Sequence, residues 1–141
     1  MIKTILTLDD DKAITELLAM ILRTHGYEVI TANTGEEGIQ AIKDKKPHIV
    51  VLDMMMEGMD GFQVCKKIRE FSTIPIVVLS AFDDPSMIVN ALDIGADEYL
   101  VKPVSSSILI AHIEKLIRRT GELELQGKPI IGGSSTQPQT S

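Results

Sequence analysis

The sequence is poor in cysteine, poor in positive charge and free of long apolar runs, and each shortage excludes something. A single cysteine, Cys65, has no internal partner, so no disulfide framework holds the fold, as suits a reducing compartment. Lys and Arg number 14 against 20 Asp and Glu, a formal charge of −6. That balance disfavours direct binding of DNA or RNA, which needs a positive footprint for the phosphate backbone. The longest apolar stretches, Ile49 to Leu52 and Ile76 to Leu79, fall far short of the roughly 20 residues that cross a bilayer. No basic, apolar and then small-residue leader opens the sequence, so a cytoplasmic protein is expected. The 141 residues suit one domain.

What is present alternates. Ile5, Leu6 and Leu8 form a buried strand that runs into Asp9, Asp10 and Asp11. Ile14, Leu17, Leu18, Ile21 and Leu22 then recur at helical spacing up to Gly26. Glu28 to Ala32 is a second strand, and Thr34 with Glu37 has the pattern of a capping box that starts a second helix. Ile49 to Leu52 is a third strand ending at Asp53, and Phe62, Cys65, Ile68 and Phe71 mark the helix after it. Ile74 to Leu79 is a fourth strand ending at Ser80, and Asp84 caps a helix with Pro85 in its first turn. Tyr99 to Val101 is a fifth strand, followed by Lys102, Pro103 and a last helix through Leu109, Ile113, Leu116 and Ile117. From about Gly121 the composition turns to Gly, Ser, Gln, Thr and Pro, so a folded domain over 1–120 and a flexible tail or linker over 121–141 are expected.

Five strands, mostly apolar throughout rather than alternating, predict an α/β domain with a parallel sheet covered on both faces. Ligands bind such sheets beyond the carboxyl ends of the strands. Asp9, Asp10, Asp53, Ser80 and Lys102 all fall at that edge. Crowded carboxylates repel by about 4 kcal/mol per pair at 4 Å and an effective dielectric of 20, so a cation is expected there. Mg²⁺ prefers oxygen ligands and commonly joins one or two carboxylates to a phosphate. Lys102 adds a fixed cation and Ser80 a hydroxyl donor. These parts suit phosphoryl transfer, in which catalysis is mostly positioning and charge neutralisation. Asp53, at the end of the central strand, is the expected nucleophile, and Asp9 and Asp10 are the expected metal pair.

The segments Ile5 to Asp11, Asp53 with Gly58-Met59-Asp60-Gly61, Val77 to Ala81, Gly95 to Leu100 and Lys102-Pro103 together resemble the receiver domain of bacterial two-component response regulators. The resemblance covers roughly residues 1–120. It implies a flavodoxin-like doubly wound sheet of order 2-1-3-4-5 with five flanking helices. It further implies Asp53 as phosphoacceptor and Mg²⁺ or Mn²⁺ held by Asp10, Asp53 and the main-chain carbonyl of Met55, with Asp9 assisting through water. Ser80 and Tyr99 would be a coupled switch, and Lys102 would join Pro103 by a cis peptide. The implied phosphodonor is a sensor histidine kinase or phosphotransfer protein. The face of the fourth helix, fifth strand and fifth helix would serve an output domain, an effector or a second receiver in a homodimer. Such a protein is a signalling switch rather than an enzyme acting on other substrates.

Glu57 stands where the family usually has proline, and Ser80 where threonine is commoner. Met55 and Phe82, each two residues past a key position, are expected to shield an acyl phosphate from water. A phosphatase would need an acid at Met55, and a flavin module would want phosphate-cradling Gly, Ser and Thr after the first strand instead of three aspartates. Plainer roles are expected elsewhere. Asp11 reads as a helix cap, Met54 and Met56 as core filler and Cys65 as a small hydrophobe, and His25, His48 and His112 lack ligand spacing.

Overall fold

A computed structural model describes residues 2–54, 56 and 59–125, with side chains as far as residue 120. The elements alternate as β1 (Thr4–Leu8), α1 (Lys12–Thr24), β2 (Glu28–Ala32), α2 (Gly35–Lys45), β3 (Ile49–Leu52), α3 (Gly61–Arg69), β4 (Ile76–Ser80), α4 (Pro85–Ile94), β5 (Glu98–Val101) and α5 (Ser106–Leu125). The strands form one sheet of order β2-β1-β3-β4-β5, every pair parallel. The expected flavodoxin-like order is the one found.

Side-chain alternation divides the apolar strands between two cores. Leu6, Leu8, Val50, Leu52, Ile76 and Val78 face Ile42 of α2, Val64 and Ile68 of α3 and Ala91 of α4. Ile5, Ile49, Val51, Val77 and Leu79 face Leu22 of α1 and Leu109, Ile113 and Leu116 of α5. Because β1, β3 and β4 are covered on both sides, nearly every residue in them is buried, which is why they read as unbroken apolar runs.

Helix starts follow local chemistry. Asp11 accepts from the Ala13 N–H at 2.9 Å, and Asp84 accepts from the Ser86 N–H at 2.9 Å ahead of Pro85. At α2 the Thr34 hydroxyl accepts from the Glu37 N–H. The Glu37 carboxylate, however, reaches the N–H of Asn33 at 2.9 Å, one residue before the cap, so the expected box closes out of step. A reciprocal box forms instead at α3, between Asp60 and Gln63.

Several boundaries differ from expectation, the fifth strand beginning at Glu98 rather than Tyr99 among them. The fourth strand begins at Ile76 rather than Ile74, because Pro75 has no N–H for the ladder; its carbonyl still accepts from Val50. Phe71 lies beyond α3, which tightens into three-residue steps as Glu70 and Phe71 donate to Lys67 and Ile68. The last helix continues past residue 120 to Leu125.

One core group is unpaired among the described residues. The Thr7 hydroxyl on β1 is fully buried and has no hydrogen-bond partner. Thr7→Val keeps the shape and removes the stranded oxygen, so it is expected to stabilise the fold by about 1 kcal/mol. A rise of a few degrees in the thermal midpoint would show this; a fall would mean that the hydroxyl has found a partner.

Candidate functional site

The sheet ladder itself sets out the site. One residue beyond β1, the Asp9 N–H donates to the Ala32 carbonyl at 3.2 Å, and one residue beyond β3 the Asp53 N–H donates to the Leu8 carbonyl at 3.0 Å. One residue beyond β5, the Lys102 N–H donates to the Ser80 carbonyl at 2.7 Å. Hydrogen bonds that continue the strands therefore hold Asp9, Asp53 and Lys102 in register at one edge. Asn33 adds a brace from the end of β2, its side-chain amide donating to the Asp9 carbonyl at 2.8 Å and to the Thr15 hydroxyl at 3.1 Å.

Asp9, Asp10 and Asp53 each offer a carboxylate oxygen, and these oxygens lie within 4.8 Å of one another. Asp9 is buried, Asp53 half-buried and Asp10 exposed. The Lys102 Nζ stands 3.8 Å from Asp9 Oδ2. One ammonium among three carboxylates leaves excess negative charge. Hard oxygen donors converging from two strand ends fit a small divalent cation such as Mg²⁺ in donor type and in charge.

Burial, with some help from the crowding, shows in Asp9. Its carboxyl is pushed up to about 6, chiefly by burial. The Asp11 N–H, which donates to its Oδ1 at 2.9 Å, opposes that rise, the Asp53 charge adds to it, Lys102 opposes it and Asp10 adds a little more. Without metal, the folded protein holds this proton more tightly than the unfolded chain does. The resulting stabilisation is complete below about pH 4 and is lost as pH rises through about 6. The loss should be of order 1 kcal/mol, since solvent reaches part of the cluster and screens it. A divalent cation should therefore raise the thermal midpoint more at about pH 7.5 than at about pH 5. Thermal unfolding at both pH values, with Mg²⁺ and with chelator, measures the difference, and equal shifts would contradict it.

Ser80 is fully buried at the end of β4, and its Oγ accepts from the Phe82 N–H at 3.1 Å. The Tyr99 hydroxyl donates to the Phe82 carbonyl at 2.9 Å. Both hydroxyls thus bond to the main chain of the residue expected to serve only as a shield, whose side chain is partly exposed. The Lys102–Pro103 peptide is cis. Met55, with Glu57 and Gly58, lies outside the described residues. The contributions of Asn33 and of the Phe82 main chain had no signal in the sequence, because each acts through backbone that only the folded chain brings close. Met54, Met56 and Cys65 are core residues, as expected.

Comparison with known proteins agrees with this geometry. The response regulator receiver domain matches residues 5–114, and the chain belongs to that family, the signalling switches of two-component systems. Transcriptional regulatory protein AfsQ1 of Streptomyces coelicolor is 41% identical over 121 residues, covering 86% of this chain and 53% of that protein. The alkaline phosphatase synthesis transcriptional regulatory protein PhoP of Bacillus subtilis is 36% identical, covering 96% of this chain and 61% of that protein. A two-component response regulator from Clostridium difficile superposes with a TM-score of 0.80 at 35% identity, covering 83% of this chain and 97% of that one. The chain spans about half the length of the first of these curated relatives. Among the described residues, no helix is long and apolar enough to cross a membrane.

Proposed function

We propose that Asp53 is the phosphoacceptor of a cytoplasmic receiver and takes its phosphoryl group from the phosphohistidine of a sensor kinase or phosphotransfer protein. A carboxylate oxygen of Asp53 forms the new bond to phosphorus while the phosphorus–nitrogen bond breaks, and the leaving imidazole keeps that electron pair. Asp10 and Asp53, with Asp9 assisting, would hold Mg²⁺ or Mn²⁺. A bound divalent ion neutralises charge on the phosphoryl oxygens. Lys102 supplies a second, fixed cation for the same oxygens, and Ser80 can turn its hydroxyl toward them. Leaving the Phe82 N–H for the phosphoryl group would release the loop that Tyr99 also grips, and so change the surface beside it.

That surface has the character of a partner site. Val89 and Leu92 of α4, Val101 of β5 and Ile108 of α5 are all exposed, Val89 at 56% and Ile108 at 50%. An output module, an effector or a second receiver could cover them. The composition from about residue 121 suits a connection to such a module.

The observation that carries the reading is the convergence of three carboxylate oxygens beside Lys102. The test is intact-mass measurement after incubation with a small phosphodonor. One added phosphoryl group is expected with Mg²⁺ and none with chelator; an adduct indifferent to metal would refute the reading. Lys102→Met, which keeps the side chain's bulk but not its charge, should slow uptake by about 100-fold. Its affinity for Mg²⁺ should be equal or tighter, since a neighbouring cation is gone, and an unchanged uptake rate would remove the lysine from the mechanism.

A further inference from the structure

A trough runs along α2 and α3, with no residue of α4, β5 or α5 in its lining. It is made of three adjoining depressions of about 510, 310 and 430 Å³. The first two share Met59 and Lys67, and the last two share Lys43 and Phe71, so the surface is continuous from the start of α3 to the end of α2. Apolar side chains are interspersed with polar and charged ones along it. Ile39 and Met59 are only partly buried, and Phe71, thrown clear of α3 where that helix closes, is 42% exposed. Among the described residues, four lysines, at 43, 46, 66 and 67, stand along it against two glutamates, Glu36 and Glu70. Lys43 lies over the Phe71 ring, its Nζ 4.9 Å from the centroid.

On a chain with a formal charge of −6, a trough in which lysines outnumber acids stands out electrostatically. The apolar groups set among the lysines also call for more than a small anion. We propose that the α2–α3 trough docks an acidic amphipathic helix of a partner protein. The apolar stripe of the helix would lie on Ile39, Met59 and Phe71, and its carboxylates would meet Lys43, Lys66 and Lys67. Helix-in-groove recognition works in this way, with apolar anchors at helical spacing giving affinity and rim charges giving register and choice of partner. The lysine stems extend the apolar area on which such a helix rests.

The probe is a synthetic 16-residue helix with leucine at helical spacing and glutamate elsewhere, compared with a twin carrying lysine for glutamate and with a short single-stranded oligonucleotide. Fluorescence anisotropy should show the acidic helix binding the full chain and the lysine twin failing to bind, and NMR of the chain should show amide shifts centred on Ile39, Lys43 and Phe71. The double reversal Lys43→Glu with Lys67→Glu should weaken binding about tenfold, and Phe71→Ala should weaken it without altering the salt dependence. Asp53→Asn should bind the acidic helix unchanged, which separates this site from the phosphoacceptor chemistry. Absence of binding, binding indifferent to the charge reversal, equal binding of the oligonucleotide, or shifts confined to the α4–β5–α5 face would each overturn the proposal.

Discussion

Asp53→Asn is expected to abolish phosphoryl uptake while leaving the fold intact. The amide has nearly the shape of the carboxylate, so the backbone bond from Asp53 to Leu8 and the packing of β3 are undisturbed. Its nitrogen and carbonyl oxygen are poor nucleophiles, and no anionic oxygen remains at that position to attack phosphorus. A second consequence follows from charge. Asp53 is one of the groups that push the Asp9 carboxyl up, so the neutral amide should ease that crowding. The metal-free variant should then be at least as stable as the parent near neutral pH. Intact mass gives the first result and thermal unfolding with chelator gives the second. An adduct of undiminished yield would assign the acceptor to another residue. A destabilised variant would show that the carboxylate is held by favourable contacts rather than by crowding.

Gly61→Ala is expected to cost about 3 kcal/mol of stability, more than most single substitutions. A Cβ at this position would collide with the Cα of Met54 and come within 2.7 Å of the Met54 Sδ and 2.9 Å of the Asp53 carbonyl oxygen. Two of these three are main-chain atoms, which cannot rotate aside. The Gly61 N–H meanwhile donates to the Met54 carbonyl at 2.9 Å, so the start of α3 is pinned against the segment that follows Asp53. Either α3 shifts outward or Asp53 shifts, and either change is expected to reduce the phosphoryl uptake proposed for Asp53. Gly26→Ala is the control: it has φ +90° but nothing within 4 Å of an added Cβ, so only backbone strain of about 1 kcal/mol is expected. Urea unfolding of both variants decides the matter. Equal losses at the two positions would mean that the Gly61 contact is relieved elsewhere.

Much of this architecture is legible in the sequence because burial on both faces of β1, β3 and β4 leaves runs that no amphipathic helix or half-exposed strand would show. The site residues are legible for a related reason: polar side chains placed directly after such runs must emerge at one sheet edge. Strand order is not readable from local pattern, since parallel strands with helical crossovers can be arranged in several ways, and it came from family resemblance. The capping box at Thr34 illustrates a finer limit. The spacing fits a box, but the Glu37 carboxylate takes the N–H of Asn33, whose side chain is itself drawn to the Asp9 carbonyl. Phe71 shows the same limit at a helix end. It continues the apolar spacing of α3, yet the helix closes just before it and leaves the ring partly in solvent.

The two hydroxyls gripped by residue 82 have a mechanical consequence. Ser80 holds the peptide unit on one side of its Cα and Tyr99 the unit on the other. Only two bond rotations, φ and ψ of a single residue, therefore separate the buried serine from the outer tyrosine. With a linkage that short there is little slack to absorb a half-completed change. If the Ser80 hydroxyl leaves for a phosphoryl group, as proposed, letting go at that end would re-aim the other, and the pair would act as a toggle rather than as two independent hinges.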